Sequence, residues 1–312
     1  MIKVQDVIST NYRVPDLDKM EQFLSDFGMV RAKREDKRLF MRGAGPLPYI
    51  TSVEQGEAAF VSAALRVNTV AELEEAAKLP GSSAIEDLDT PGGGKRVRVK
   101  GPDGFRIDLI HGQQAVEPLK VRPPLAVNFA QQKQRVFALQ RPANEPARIF
   151  RIGHCVFKVT DADAAVKWFR DTLGMLITDR IHVPDNANVT LGTFLRCNKG
   201  KDAADHHSIL CLQSEPGDIK VHHSSYEVQD PDAVHIGHYW LKSKGEYKSE
   251  WGVGRHLLGS QVFDYWRDPW GHMFEHYADG DLLDDTATPG DYPATQENLA
   301  QWGPEVSPTF FN

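Results

Sequence analysis

No stretch of the 312-residue chain approaches the run of about 20 apolar residues that a membrane helix requires, so no membrane partner is expected. The opening segment, MIKVQDVIST, has neither the basic start nor the hydrophobic core of a signal peptide. Cysteine is scarce. Cys155, Cys197 and Cys211 are odd in number, follow no familiar spacing and lie largely in strand-like runs, so they read as reduced thiols of a cytoplasmic protein. Positive charge is also short, with 36 Lys and Arg against 43 Asp and Glu for a net charge of −7. Phosphate binding needs a concentrated basic stripe. The basic cluster of Lys95, Arg96, Arg98 and Lys100 is brief, and strand alternation assigns it to a solvated face, so nucleic acid is not an expected partner.

Against these absences, histidine is plentiful and unevenly placed. Of twelve histidines, all but His111 lie after residue 150. Apolar residues at 41% and charged residues at 25% are ordinary for a globular protein, and the length allows one large domain or two medium ones.

The chain repeats itself. Residues 2–29 and 148–175 both run from an apolar strand through an Asp-bearing turn into a helix that ends at Gly-Met. Asp16 and Asp161 suit the helix N-cap, Gly28 and Gly174 suit the left-handed position after it, and Phe23 and Phe169 match on the apolar face. The repeat returns as GPDGFRIDLIHG at 101–112 and DPWGHMFEHYADG at 268–280, each a turn followed by a strand. Second helices are expected near 70–79 and 230–243. The fold class that follows is α+β, with four βαβββ modules paired into two similar domains. The first pair covers 1–112 and reads as a structural half. A Pro-, Gln- and Arg-rich connector covers 113–148. The second pair covers 149–282, and a tail at 283–312 wraps the surface, its aromatic tip SPTFFN anchored.

Aligning the halves at Gly28 and Gly174 sets His154 against Ile8, His223 near Ser62 and Glu275 on Asp108. Only the second copy holds a nitrogen-rich, carboxylate-bearing set. Two histidines and one carboxylate on separate strands suit non-haem Fe(II) held on one face, and equally accept zinc or manganese. His235 and His238, three apart, read as a solvated helix face with no acid beside them. His206 and His222 read as supporting or surface residues. His276 should point away from Glu275 by strand alternation.

The motifs IGHCVFKV, DHHSILCL, VHHSSYEV and FEHYADGD, together with GRH ending at His256 and Tyr265 nine positions later, resemble the type I extradiol ring-cleaving dioxygenases of the vicinal-oxygen-chelate superfamily, whose fold is glyoxalase-like. The resemblance spans both halves and is sharpest from Ile152 to Gly280. It implies metal ligation by His154, His223 (rather than His222) and Glu275, with Fe(II), or Mn(II), as cofactor. It further implies that His207 moves protons and that His256 and Tyr265 steady the substrate oxygen. The partners it implies are a catecholic substrate and dioxygen, in aromatic compound catabolism, within a homo-oligomer. The stretch HLLGSQVFDYW departs from the more polar residues common after that histidine, so Leu257 and Leu258 are expected to grease the substrate pocket. Other branches of the superfamily imply rival readings, a metal-dependent isomerase or lyase like glyoxalase, or a metal-free ligand-binding protein.

Overall fold

The computed structural model describes residues 2–311. In the first half, β1 (Asp6–Val14), α1 (Leu17–Asp26), β2 (Val30–Arg34), β3 (Arg38–Arg42) and β4 (Thr51–Gln55) are followed by β5 (Ala59–Arg66), α2 (Val70–Ala76), β6 (Glu86–Asp87), β7 (Lys95–Lys100) and β8 (Arg106–His111). These strands form one eight-stranded sheet in the order β2-β3-β4-β1-β5-β8-β7-β6. Parallel pairing of β1 with β4 and of β5 with β8 closes each βαβββ module, and antiparallel pairing of β1 with β5 joins the two.

The second half repeats the plan. It runs β9 (Ile149–Val159), α3 (Ala162–Leu173), β10 (Leu176–Val183), β11 (Asn186–Arg196), β12 (Ala204–Asp205) and β13 (Ile209–Gln213). After these come β14 (Lys220–Val228), α4 (Pro231–Lys244), β15 (Lys248–Arg255), β16 (Val262–Arg267), β17 (Met273–Ala278), β18 (Leu282–Leu283) and β19 (Gly290–Pro293). Its nine-stranded sheet has the order β15-β16-β17-β14-β9-β13-β11-β10-β19, so the four expected modules are all present.

Local chemistry explains the helix ends. Asp16 and Asp161 cap α1 and α3, accepting from backbone N–H groups of the first turn. Gly174 ends α3 at φ +69°, where a side chain would crowd the carbonyl of Ile2. Phe23 and Phe169 are both buried, and one continuous core runs through both halves. The halves are stitched by buried polar bonds. Tyr226 Oη meets the hydroxyls of Thr10 and Thr51, at 2.8 and 2.9 Å, and Tyr12 Oη meets Ser224 Oγ at 2.6 Å. The three cysteines are buried and unpaired, and burial raises all three thiols.

Among the described residues, no helix is long and apolar enough to cross a membrane. The basic cluster differs from expectation. Arg96 and Arg98 are only partly exposed, pair with Glu86 on the short neighbouring strand and line a cavity of about 290 Å³ in the first half. His238 also differs. It is mostly covered and bonds the buried Asp264 at 3.0 Å, an acid contributed by β16 rather than by its own helix.

Candidate metal centre

Strand pairing alone brings three ligand types together. Ser225 of β14 is flanked by His154 of β9 on one side and Glu275 of β17 on the other, and His223 lies two residues earlier on β14. Cross-strand partners share a face, as do residues i and i+2, so all three side chains project from the same side of the sheet. Their ligand atoms lie within 4.8 Å of one another. His154 Nε2 is 3.0 Å from Glu275 Oε2, and His223 Nε2 is 3.5 Å from the same oxygen. Glu275 is wholly buried, and burial alone would raise its carboxyl. His154 and His223 outweigh that penalty and hold it well below the usual carboxylate range. Neither oxygen of Glu275 nor Nε2 of His223 has a hydrogen-bond partner. Buried polar atoms are rarely left so, and these unpartnered atoms, with His154 Nε2 beside them in a His₂Glu cluster, fit a divalent cation.

Further histidines surround the trio. His207 packs against His154 with ring centroids 4.0 Å apart, and burial beside His154 keeps it neutral, with its pKa well below the ordinary value. Its Nδ1 bonds His206 Nδ1 at 3.0 Å, and His206 Nε2 bonds Asp179 at 2.8 Å. His256 Nδ1 donates to the Leu299 carbonyl at 2.9 Å, leaving its Nε2 to accept from the Tyr265 hydroxyl at 2.9 Å. Burial lowers His256 and raises Tyr265 well above the usual phenol value. His276 points the other way, as alternation requires. Its Nε2 donates to the Phe27 carbonyl at 2.6 Å while its ring stacks on Phe27.

These groups open onto a cavity of about 770 Å³, within the range of small-molecule sites. Its walls are mainly apolar, formed by Val156, Ile181, Phe194, Leu210, Trp251 and Leu258 among others. Leu258 lines it as expected, whereas Leu257 is 36% exposed and takes no part. No arginine lines the cavity among the described residues, and Lys158 is spoken for by Asp218 and the Phe311 carbonyl.

Residues 151–276 match the model of the Glyoxalase/Bleomycin resistance protein/Dioxygenase superfamily. Metapyrocatechase 2 of Cupriavidus necator is 28% identical over 96% of this chain and 88% of its own length. Over nearly its full length the chain is related to extradiol dioxygenases of this superfamily. Solved structures agree on the fold. The homoprotocatechuate 2,3-dioxygenase of Brevibacterium fuscum (an E323L mutant) superposes with a TM-score of 0.81 at 18% identity, covering 99% of this chain and 81% of that one. A Mn(II)-bound glyoxalase from Novosphingobium aromaticivorans superposes with a TM-score of 0.79 at 24% identity, covering 100% and 98%.

His154, His207, His223, His256, Tyr265 and Glu275 all converge on one site. Three participants went unanticipated. Asp179 anchors His206, the Leu299 carbonyl anchors His256, and Phe310 brings a ring and a carbonyl to His222. The aromatic tip of the chain was the sole sequence signal for any of them. One alignment shifts by a residue. Ala64 of β5 is flanked by Ser9 and Asp108 as Ser225 is by His154 and Glu275, so Ser9 rather than Ile8 stands opposite His154.

Proposed function

We propose that the chain holds Fe(II) through His154, His223 and Glu275 and cleaves the ring of a catecholic substrate beside its vicinal hydroxyls, placing both atoms of dioxygen in the ring-opened product. The observation that carries this is the buried His154, His223 and Glu275 cluster, with His223 Nε2 and both Glu275 oxygens unpartnered, opening onto a large apolar cavity beside three proton-handling side chains. Three protein ligands on one side leave the other side free for a chelating diol and for dioxygen. Bound Fe(II) would supply the redox centre at which those two meet; Mn(II) suits the same ligands.

The chain's own residues do the rest. A bound diol would come between His256 and Tyr265 and replace the hydrogen bond that joins them, so that His256, fixed by the Leu299 carbonyl, accepts a proton from the diol at Nε2. Tyr265, whose proton is hard to remove, donates a hydrogen bond toward a bound substrate oxygen. His207 is neutral and buried beside the metal face, and it takes up a proton near the oxygen side and returns it to the product. The apolar wall excludes water. With no free cation in the wall, the cavity favours an uncharged diol with a bulky apolar substituent over one bearing a carboxylate.

The same reading divides the chain into a structural pair at 1–112, a connector at 113–148, a catalytic pair at 149–282 and a tail at 283–312. Val127, Phe129, Val136, Phe137 and Leu139 of the connector are exposed, which supports a homo-oligomer. Three unpaired buried thiols support a cytoplasmic setting.

The test is iron content and oxygen uptake on protein purified without air, with alkyl-, aryl- and carboxyalkyl-substituted catechols. About one iron per chain and uptake that His223→Ala abolishes are expected. Wild-type protein with bound iron but no uptake on any diol refutes the reading.

A further inference from the structure

We infer that His222 is a positioning residue for His223, and that the backbone of the C-terminal tail, through the Phe310 carbonyl, fixes which ring nitrogen His223 turns to the metal. The inference rests on the reading of His223 as a ligand and adds what holds it.

A β-bulge makes the arrangement possible. Val221 pairs with Phe157 and His223 with Val156, so His222 is an extra residue on β14. In a regular strand consecutive side chains leave from opposite faces. Here the two rings sit 5.0 Å apart, with Nδ1 to Nδ1 at 2.7 Å. The other nitrogen of His222, Nε2, lies 2.7 Å from the carbonyl oxygen of Phe310.

Proton accounting then runs in one direction. A carbonyl has no proton to give, so His222 Nε2 carries one and donates it. A neutral imidazole protonated at Nε2 presents a lone pair at Nδ1. That lone pair accepts from His223 Nδ1–H, and the lone pair of His223 is left on Nε2. Nε2 is the atom that faces Glu275 and has no other partner. Two hydrogen bonds thus carry the directionality of a single carbonyl to the metal face.

The tail is held firmly enough for this work. Phe310 is 5% exposed, its ring lies 4.9 Å from those of Trp251 and Tyr265, and Lys158 donates to the next carbonyl, that of Phe311. The pair His206–His207 is built likewise, with Asp179 in place of the carbonyl. That a second consecutive histidine pair at the same site has the same Nδ1-to-Nδ1 geometry argues that the arrangement is a device and not an accident of packing.

The experiment measures Mn(II) affinity of the full chain by competition with a fluorescent chelator, with melting curves of the metal-free proteins to check folding. His222→Leu removes the link and should weaken binding by about 10- to 100-fold. Deleting residues 309–312 leaves both histidines in place but removes the acceptor, and should weaken binding in the same direction; it also decides the matter if His222→Leu does not fold. His222→Gln keeps an acceptor and a donor at corresponding ends and should bind within about threefold of wild type. A folded His222→Leu or a folded truncation that binds Mn(II) within about twofold of wild type overturns the inference. A wild-type chain that takes up neither Mn(II) nor Fe(II) overturns the metal-site reading itself, and this inference with it.

Discussion

The two halves use the same strand order and opposite chemistry at corresponding positions. In the first, Asp108 accepts two bonds from Arg106, at 2.8 and 3.0 Å, and a third from Ser62 at 2.8 Å, and Ser62 in turn accepts from Asn11. In the second, Glu275 at the corresponding place has no arginine beside it and no well-formed hydrogen bond to either oxygen. The first carboxylate is satisfied by its own chain and has become a structural ion pair. The second is left open, a state that a folded protein sustains only where something else completes it. The cavities follow the same division, about 290 Å³ lined by charged pairs against about 770 Å³ lined by apolar walls. A binding site here is defined less by the residues added than by the partners withheld.

The largest effect expected from breaking this contrast is at Glu275. Glu275→Ala should abolish oxygen uptake and bound metal together, measured by electrode and elemental analysis, whereas Asp108→Ala should leave both near wild type. Loss of metal from Asp108→Ala would show that the halves are not divided in this way. Next comes His207. With the metal retained, His207→Ala should lower kcat by about 10² to 10⁴ with a lesser change in KM, the range for removing a proton-transfer group. Unchanged turnover would remove it from the reaction.

Third is stability. Asp108 is buried while Arg106 is about a third exposed, so breaking the pair is screened on one side. Asp108→Ala should cost about 2 kcal/mol in urea unfolding. A change below about 0.5 kcal/mol would mean that the network is decorative.

The smallest effect is the pH response of the metal-free chain. Burial depresses His207, His222 and His223, and lowers His276 to about 4. A histidine with a depressed folded pKa contributes stability that is complete above its unfolded value, about 6.5, and lost as pH falls toward the folded value. The urea midpoint should therefore be level above pH 7.5 and fall between pH 7 and 5. All six tryptophans lie after residue 150, so their fluorescence reports this half. A midpoint that rises on acidification contradicts the assignment.

Much of this was legible in the chain because repeats carry their punctuation with them. The capping residues Asp16 and Asp161 and the Gly-Met helix ends act within a single turn, so a local reading finds them. The ligands were legible because each sits in a strand motif shared with a known family. What stayed hidden depends on register and on distant partners. The bulges at Ile8 and Gly153 correspond and cancel, but Asp161 to Gly174 spans one residue more than Asp16 to Gly28, and that extra helical residue, unmarked in composition, moved the match for His154 by one position. Asp179 is 27 residues from His206, Phe310 is 88 from His222 and Asp264 is 26 from His238. No periodicity connects such pairs, and only the folded sheet brings them together.

The division of ligands between modules has a consequence for the integrity of the chain. His154 belongs to the module of β9 to β13, whereas His223 and Glu275 belong to that of β14 to β17, and the turn joining them, Ser214 to Asp218, lies at the surface. A protease nick in that turn would leave two fragments, neither with a full ligand set. The metal would then act as the fastener between them, and the rate at which the nicked halves part in a chelator would measure the grip of the centre on its own scaffold.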